Sequence, residues 1–175
     1  PKYDRFGNLK HSIGSGIVGC DIGTQTIAYT TETKAGLKNL AERGSSIEVN
    51  ERKERRIYRA MDRSRRAMNP DNYNEDGTIK KGKKKWTYSN RYKKLRTKHT
   101  ELCRINATNR HLAINEDVNE LRSLGDVFVT EPKNAKKLQK KAKTGKRKKR
   151  FGRSIKNRCP GYFQSQAKRK FRIYV

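Results

Sequence analysis

Hydrophobic positions gather in a few short runs separated by long polar stretches. Residues 16–31 form the longest uncharged run, interrupted only by Asp21. Ile17 and Val18, then Ile27, Tyr29, Thr30 and Thr31, are β-prone, and Gly23-Thr24-Gln25 between them reads as a tight turn. The pattern predicts a buried hairpin with a lone carboxylate, Asp21, at the end of its first strand. A third strand over residues 37–41 extends it to a three-stranded meander. Residues 1–15 are polar, contain Gly7 and Gly14, and read as a loop or a short edge strand.

The period then changes from two to 3.6. A helix over residues 45–68 has Ser45 or Ser46 as cap with Glu48 as capping-box partner, and Asn69-Pro70 stops it. Arg52, Arg56, Arg59, Arg63 and Arg66 share one of its faces, and Ile57, Met61, Ser64 and Met68 form a narrow stripe nearly opposite. Residues 69–88 read as a basic loop with turns at Asn69-Pro70-Asp71-Asn72 and Glu75-Asp76-Gly77. A long helix covers 89–124, with Tyr92, Leu95, Leu102, Ile105, Leu112, Val118 and Leu121 as its core-facing stripes. Residues 126–131 are a short strand closed by Pro132. A strand–helix–strand crossover makes that strand parallel to one already in the sheet. A basic arm over 136–158 leads into a last helix from about residue 154 to the end, kinked or delayed by Cys159-Pro160-Gly161. The expected segments are thus 1–44, 45–68, 69–88 and 89–175, in an α/β chain.

Charge changes the picture most. Lys and Arg number 45 against 17 Asp and Glu, a net +28. That excess repels itself unless a polyanion neutralises it, and nucleic acid is the first candidate. A membrane surface is second, but no long apolar span or signal segment is present, so a soluble protein without a membrane partner is expected. Hydrophobic residues make up only 31% of the chain, which predicts a small core with long solvated basic elements. Cys20, Cys103 and Cys159 stand far apart without a C-x-x-C pair, so no zinc site is expected within the segment. Their odd count without a secretory signal fits a reducing, intracellular setting, and the expected localisation is cytoplasmic and nucleoid-associated. His11, His99 and His111 lack ligand spacing and read as surface or packing residues. The chain begins at Pro1 without an initiator Met and is expected to be a fragment at that end.

Three groups of residues carry candidate chemistry. The arginine row spans about 20 Å at 1.5 Å per residue and can follow several phosphates, because guanidinium groups bind them bidentately and stay charged. Arg55 and Arg65 add to it. Glu51 and Glu54 lie only at its start, so Arg59 to Arg66 are expected to be mostly unpaired; the alternative is a solvated face held by Glu–Arg pairs. Next come Lys80, Lys81, Lys83, Lys84 and Lys85 in the loop, and Lys146, Arg147, Lys148, Lys149 and Arg150 in the arm. Tyr73, Trp86 and Tyr88 either stack bases beside these lysines or, in the case of Trp86, anchor the loop. The third group is Asp21 with Glu131. If their strands are neighbours, both acids project near strand C-ends, where open α/β sheets place ligands. Two carboxylates in a basic protein suit Mg2+, a hard cation that takes oxygen ligands and completes its shell with phosphates. The alternatives are that Asp21 bonds turn amides and that Glu131 is a surface acid at a strand end.

Three stretches together resemble a known family. They are Val18-Gly19-Cys20-Asp21-Ile22-Gly23-Thr24-Gln25-Thr26-Ile27; Met61-Asp62-Arg63-Ser64-Arg65-Arg66-Ala67 running into Asn69-Pro70-Asp71-Asn72-Tyr73-Asn74 and Asp76-Gly77-Thr78-Ile79-Lys80-Lys81-Gly82; and Val129-Thr130-Glu131 with Asn134, Leu138-Gln139-Lys140 and Lys149-Arg150-Phe151-Gly152. The chain resembles the transposon-encoded RNA-guided DNA nucleases called TnpB or OrfB, with IscB as kin. The resemblance implies a partial ribonuclease-H-like (split RuvC) fold, in which Asp21 is the first catalytic acid and Glu131 the second. It implies Mg2+ as cofactor, guide RNA and target DNA as partners, and the Arg-rich helix as a bridge helix against the guide. The family's third acid and its zinc ribbon are expected downstream of this segment, which alone is expected to be inactive. Thr130-Glu131-Pro132-Lys133 and Ala135 depart from the family's more apolar neighbourhood. The main alternative is a non-catalytic RNA- or DNA-binding remnant. An actin-like ATPase shares Asp21-Ile22-Gly23-Thr24 but has no use for the arginine row. A ribosomal-type binder matches the charge but needs no acid in an apolar hairpin.

Overall fold

A computed structural model of the chain describes residues 3–40, 46–131 and 152–175. It divides into two compact units, residues 1–44 with 109–175, and residues 45–108.

The first unit is built on a mixed five-stranded sheet. Its strands are β1 (Ile17–Ile22), β2 (Thr26–Thr30), β3 (Ala35–Asn39), β4 (Val127–Thr130) and β5 (Ile173–Tyr174), in the order β3-β2-β1-β4-β5. β1, β2 and β3 form the expected antiparallel meander. β4 lies beside β1 and parallel to it, as the crossover rule requires, with Ile17 level with Val127 and Cys20 level with Thr130. Helix α2 (Asn90–Arg122) makes that crossover, and its residues from Asn109 onward belong to this unit.

Alternation sorts the side chains. Val18, Cys20 and Ile22 of β1, Ile27 and Tyr29 of β2, and Phe128 of β4 are buried, whereas Ile17, Asp21, Ala28 and Thr30 are exposed. Asp21 is therefore not in a buried environment as the apolar run suggested. In a period-two strand its neighbours Cys20 and Ile22 take the core side, which leaves the acid on the other. The core is completed by Ala113, Ile114, Val118 and Leu121 of α2, Ile155 of α3 (Gly152–Arg158), and Phe163 and Ala167 of α4 (Pro160–Lys170). Phe128 sits at its centre, with ring centroids 4.9 Å from Phe171, 5.3 Å from Tyr174 and 6.2 Å from Phe163. Polar ties close the layers: Lys38 of β3 pairs with Glu120 of α2, and the Lys170 ammonium donates to Asn119 Oδ1 at 2.7 Å.

Two expectations are corrected here. Leu112 (56% exposed) and Ile105 do not face a core. Val118 and Leu121 are buried as expected, and the other buried positions of α2 are Asn106, Ala113, Ile114 and Asp117, so the stripe includes two polar residues an apolar pattern cannot show. The last helix does not run to the end of the chain. Cys159 takes a left-handed conformation (φ 45°) that separates α3 from α4, and α4 opens on Pro160 at its first turn. The chain then turns extended at Phe171, and β5 adds to the edge of β4, with Thr130 N–H donating to the Val175 carbonyl at 2.8 Å. Ile173 and Tyr174 are β-prone, and an open parallel edge gives their backbone groups partners.

The second unit is a helix pair. Helix α1 (Ser46–Met68) and the first part of α2 run antiparallel, joined by Asn50 Nδ2 to Asn106 Oδ1 at 2.8 Å, a buried bond, and by Ser64 and Ser89 hydroxyls at 2.9 Å. Ile57, Met61 and Ser64 are half-buried as expected, but Met68 is exposed. The side chains of Ser45, Ser46 and Glu48, the expected cap, lie outside the described residues. The connection is not featureless: it holds a 3-10 turn at Pro70–Asn72 and a bridge between Tyr73 and Ile79. Asn69, buried, fastens it by exchanging two bonds with Thr87, at 2.8 and 2.7 Å.

Replacing Phe128, fully buried among three rings, with Ala is expected to lower unfolding free energy by about 3–5 kcal/mol, whereas Leu37→Ala on the exposed side changes it by less than about 0.5 kcal/mol. Urea unfolding of both variants checks this; equal effects would contradict the sidedness of the sheet.

Candidate functional site

The carboxylate pair is set by register. Cys20 is the last residue of β1 paired to β4, and its partner Thr130 is the last residue of β4. Asp21 and Glu131 are each the next residue along, so they occupy equivalent steps at the C-terminal ends of neighbouring parallel strands. Strand spacing puts their backbones about 5 Å apart. Both are exposed. The donor set is oxygen only, because the nearest thiol does not compete. Cys20 is 7% exposed on the core side, and burial pushes its pKa up to about 12. Two exposed carboxylates are the oxygen donors that a hard cation such as Mg2+ takes, since it keeps waters and binds phosphate oxygens alongside one or two protein acids.

What holds the register is the approach to β1. The Gly16 carbonyl accepts both the Asp126 and Val127 N–H groups at 3.1 Å. Gly125 makes this possible: a Cβ there would stand 2.6 Å from the Gly16 oxygen and 2.9 Å from Val18 Cγ2. On the other edge, Arg172 Nε donates to Asp126 Oδ2 at 2.6 Å, and this hydrogen bond holds the Asp126 carboxyl below its ordinary value.

The basic residues of the second unit divide by use. Arg52, Arg55, Arg56, Arg59 and Arg63 are exposed along α1. Arg65 and Arg66 are not part of an unpaired row. Asp62 accepts from Arg65 Nη2 and from Arg66 Nε, each at 2.9 Å, a pairing that follows from i,i+3 and i,i+4 spacing and that attention to Glu51 and Glu54 alone overlooks. Both guanidinium groups also cover rings of the connection: Arg65 lies 5.2 Å from the Trp86 centroid and Arg66 5.3 Å from Tyr73. Gly77 (φ 76°) lets the Asp76 turn pass close to Arg66, where a Cβ would meet Nη1 at 2.7 Å.

The aromatic residues are likewise occupied within the protein. Tyr73 and Trp86 meet edge to face at 5.9 Å, and Tyr88 stacks on Tyr92 at 4.5 Å. Of the two readings for Trp86, anchoring is the one these contacts express. Lys80, Lys81, Lys83 and Lys85 are exposed, and Lys84 is half-buried with its ammonium on the Gly82 carbonyl at 2.8 Å. Lys146, Arg147, Lys148, Lys149 and Arg150 lie outside the described residues.

A basic cleft in the first unit escapes sequence reasoning. It has a volume of about 590 Å³ and is lined by His11, Asn115, Asn119, Arg122, Arg169 and Lys170. Burial, then the charges of Arg169 and Arg122, lower the Lys170 pKa, and Arg122 Nε is buried without a hydrogen-bond partner. These residues come from distant parts of the chain, and no spacing signal connects them.

Compared with known proteins, the chain matches no family model and no curated protein. No helix among the described residues is long and apolar enough to cross a membrane.

Arg65→Ala is expected to destabilise the helix pair by about 1–2 kcal/mol through loss of the Asp62 bond and the Trp86 contact, whereas Arg59→Ala and Arg63→Ala shift stability by less than about 0.5 kcal/mol. Thermal unfolding of the three variants separates the structural arginine from the surface ones.

Proposed function

We propose that this chain is part of an RNA-guided DNA endonuclease of the TnpB or OrfB type. The observation that carries the reading is the equivalent placement of Asp21 and Glu131 at the ends of adjoining parallel strands. The mixed sheet, a three-stranded meander with a parallel strand beside its first member, supports the ribonuclease-H-like (split RuvC) assignment that the sequence resemblance implies. The exposed arginines of α1 support a nucleic-acid partner, and the net +28 charge points the same way.

In this reading Asp21 and Glu131 hold Mg2+ through their carboxylate oxygens, and the family's third acid completes the set. When bound, the metal supplies an activated water and charge stabilisation for the leaving oxygen of a phosphodiester. The chain's own contribution is position. β1 and β4 fix two acids on adjoining strands, both acids are exposed to solvent, and the buried Cys20 thiol on the core side adds no competing ligand. Arg52, Arg56, Arg59 and Arg63 contact guide-RNA phosphates by charge and shape, leaving sequence reading to base pairing. Arg65 and Arg66 serve indirectly, by shaping the loop that presents Lys80, Lys81, Lys83 and Lys85.

Two measurements on the complete protein with its guide RNA test the parts separately. Asp21→Ala and Glu131→Gln are each expected to abolish Mg2+-dependent DNA cleavage while target binding persists; cleavage by either variant sinks the carboxylate assignment. Loss of cleavage together with loss of binding would point to misfolding, which circular dichroism identifies. Replacing Arg52, Arg56 and Arg59 with Ala is expected to flatten the slope of log K against log salt by about 2–3, at roughly 0.7–0.9 per phosphate contact. An unchanged slope rules out the arginine face as the RNA contact.

A further inference from the structure

The helix pair of the second unit contains a cluster that the proposed nuclease chemistry does not use. His99 and Cys103 lie one turn apart on α2, and i,i+4 spacing sets them on one face. Glu54 reaches them from α1. His99 Nε2 is 3.6 Å from Glu54 Oε1, Cys103 Sγ is 3.8 Å from the same oxygen, and Sγ is 3.8 Å from Nε2. Three atoms of three different side chains thus form a nearly equilateral triangle. All three residues are half-buried.

The two Sγ edges are within reach of weak sulfur hydrogen bonds, so the imidazole–carboxylate edge is the one that discriminates. A neutral or charged N–H···O hydrogen bond closes to about 2.7–3.2 Å, so 3.6 Å between imidazole and carboxylate is too long for one. Tetrahedral zinc, with Zn–S near 2.3 Å and Zn–N and Zn–O near 2.0–2.1 Å, puts its ligand atoms about 3.3 Å apart between nitrogen and oxygen and about 3.5 Å apart to sulfur. Each observed edge exceeds its ideal by only about 0.3 Å. Charge agrees as well: a thiolate, a carboxylate and a neutral imidazole sum to −2 and balance a divalent cation. A thiolate and an imidazole are soft and borderline ligands that favour Zn2+ over Mg2+.

We infer that Glu54, His99 and Cys103 form a binding site for one Zn2+-class ion, with water in the fourth position, clamping α1 to α2. By sequence spacing the three residues show no ligand pattern, because Glu54 lies on a different helix from the other two. The site differs in kind from the Asp21–Glu131 pair, whose oxygen donors suit a hard cation, and it does not depend on the nuclease reading.

Cobalt titration of the reduced, chelator-treated full chain tests it. Wild type is expected to develop a thiolate-to-Co2+ charge-transfer band in the near ultraviolet with tetrahedral visible bands, saturating at one equivalent and unaffected by millimolar Mg2+. Cys103→Ser removes the charge-transfer band, and Cys159→Ser leaves it. His99→Asn weakens Zn2+ affinity, measured by competition with a chelating dye, beyond the roughly 10–100-fold that outer-sphere partners cost. Absence of the band in wild type, its survival in Cys103→Ser, or unchanged affinity in His99→Asn would overturn the site. If Cys103→Ser fails to fold by circular dichroism, the wild-type band and the His99→Asn affinity decide.

Discussion

The pairing of β1 on both its edges is the constraint from which the first unit follows. On one side the strand meets β2 antiparallel, and on the other it meets β4 parallel, so neither neighbour can shift without breaking a ladder. A slip of one residue would exchange Val18, Cys20 and Ile22 for Ile17, Gly19 and Asp21 on the core side, burying a carboxylate and exposing three apolar groups. The Gly16 carbonyl, bonded to Asp126 and Val127 across a glycine-only gap, fixes the start of the pairing. Fixing the start also fixes the end, which is how Asp21 and Glu131 come to the same step of adjoining strands. The core and the candidate site are therefore two consequences of one register.

The same economy governs charge. Acidic side chains are few against the basic excess, and several of them hold the fold. Asp62 takes two arginines, Asp126 takes Arg172 and Glu120 takes Lys38. Among the described residues, Arg52, Arg55, Arg56, Arg59 and Arg63 of α1 and Lys80, Lys81, Lys83 and Lys85 of the following loop are exposed. Self-repulsion there is offset when a polyanion is bound, which is why the exposed arginines argue for a nucleic-acid partner more strongly than the net charge alone. Exposure also separates roles that composition merges: Arg63 and Arg65 are two residues apart, yet one faces solvent and the other covers a tryptophan.

Much of this was legible in the sequence. The hairpin of residues 16–31, the stop at Asn69-Pro70, the long second helix and the parallel placement of the short strand before Pro132 each carry a local signal strong enough to set the element. What was not legible depends on residues far apart. Asp117 and Asn106 occupy buried positions on α2 that carry no apolar signal, and the apolar pattern points instead to Leu112 and Ile105, which face no core. The end of the chain reads as helix by continuity, but an open edge on β4 recruits Ile173 and Tyr174 as strand. Tyr73 and Trp86 read as available to bases because nothing local in the sequence shows the two guanidinium groups that cover them. The basic cleft around Arg122 and Lys170 joins segments almost fifty residues apart and leaves no trace in either.

The cysteines carry that argument one step further, because one functional group meets opposite fates. Cys20 adjoins the candidate catalytic acid in sequence, yet alternation turns its thiol into the core, where burial raises its pKa to about 12 and keeps it protonated. A protonated, enclosed thiol neither ligates a metal nor attacks a substrate at neutral pH. Cys103 is distant from any motif, but helical spacing brings it beside an imidazole, and the packing of α1 adds a carboxylate. Proximity in sequence to a catalytic residue is thus a poor guide to which cysteine is chemically competent. Backbone geometry decides it: a period of two withdraws one sulfur from the site beside it, and a period of 3.6 delivers the other to ligands that the sequence keeps apart.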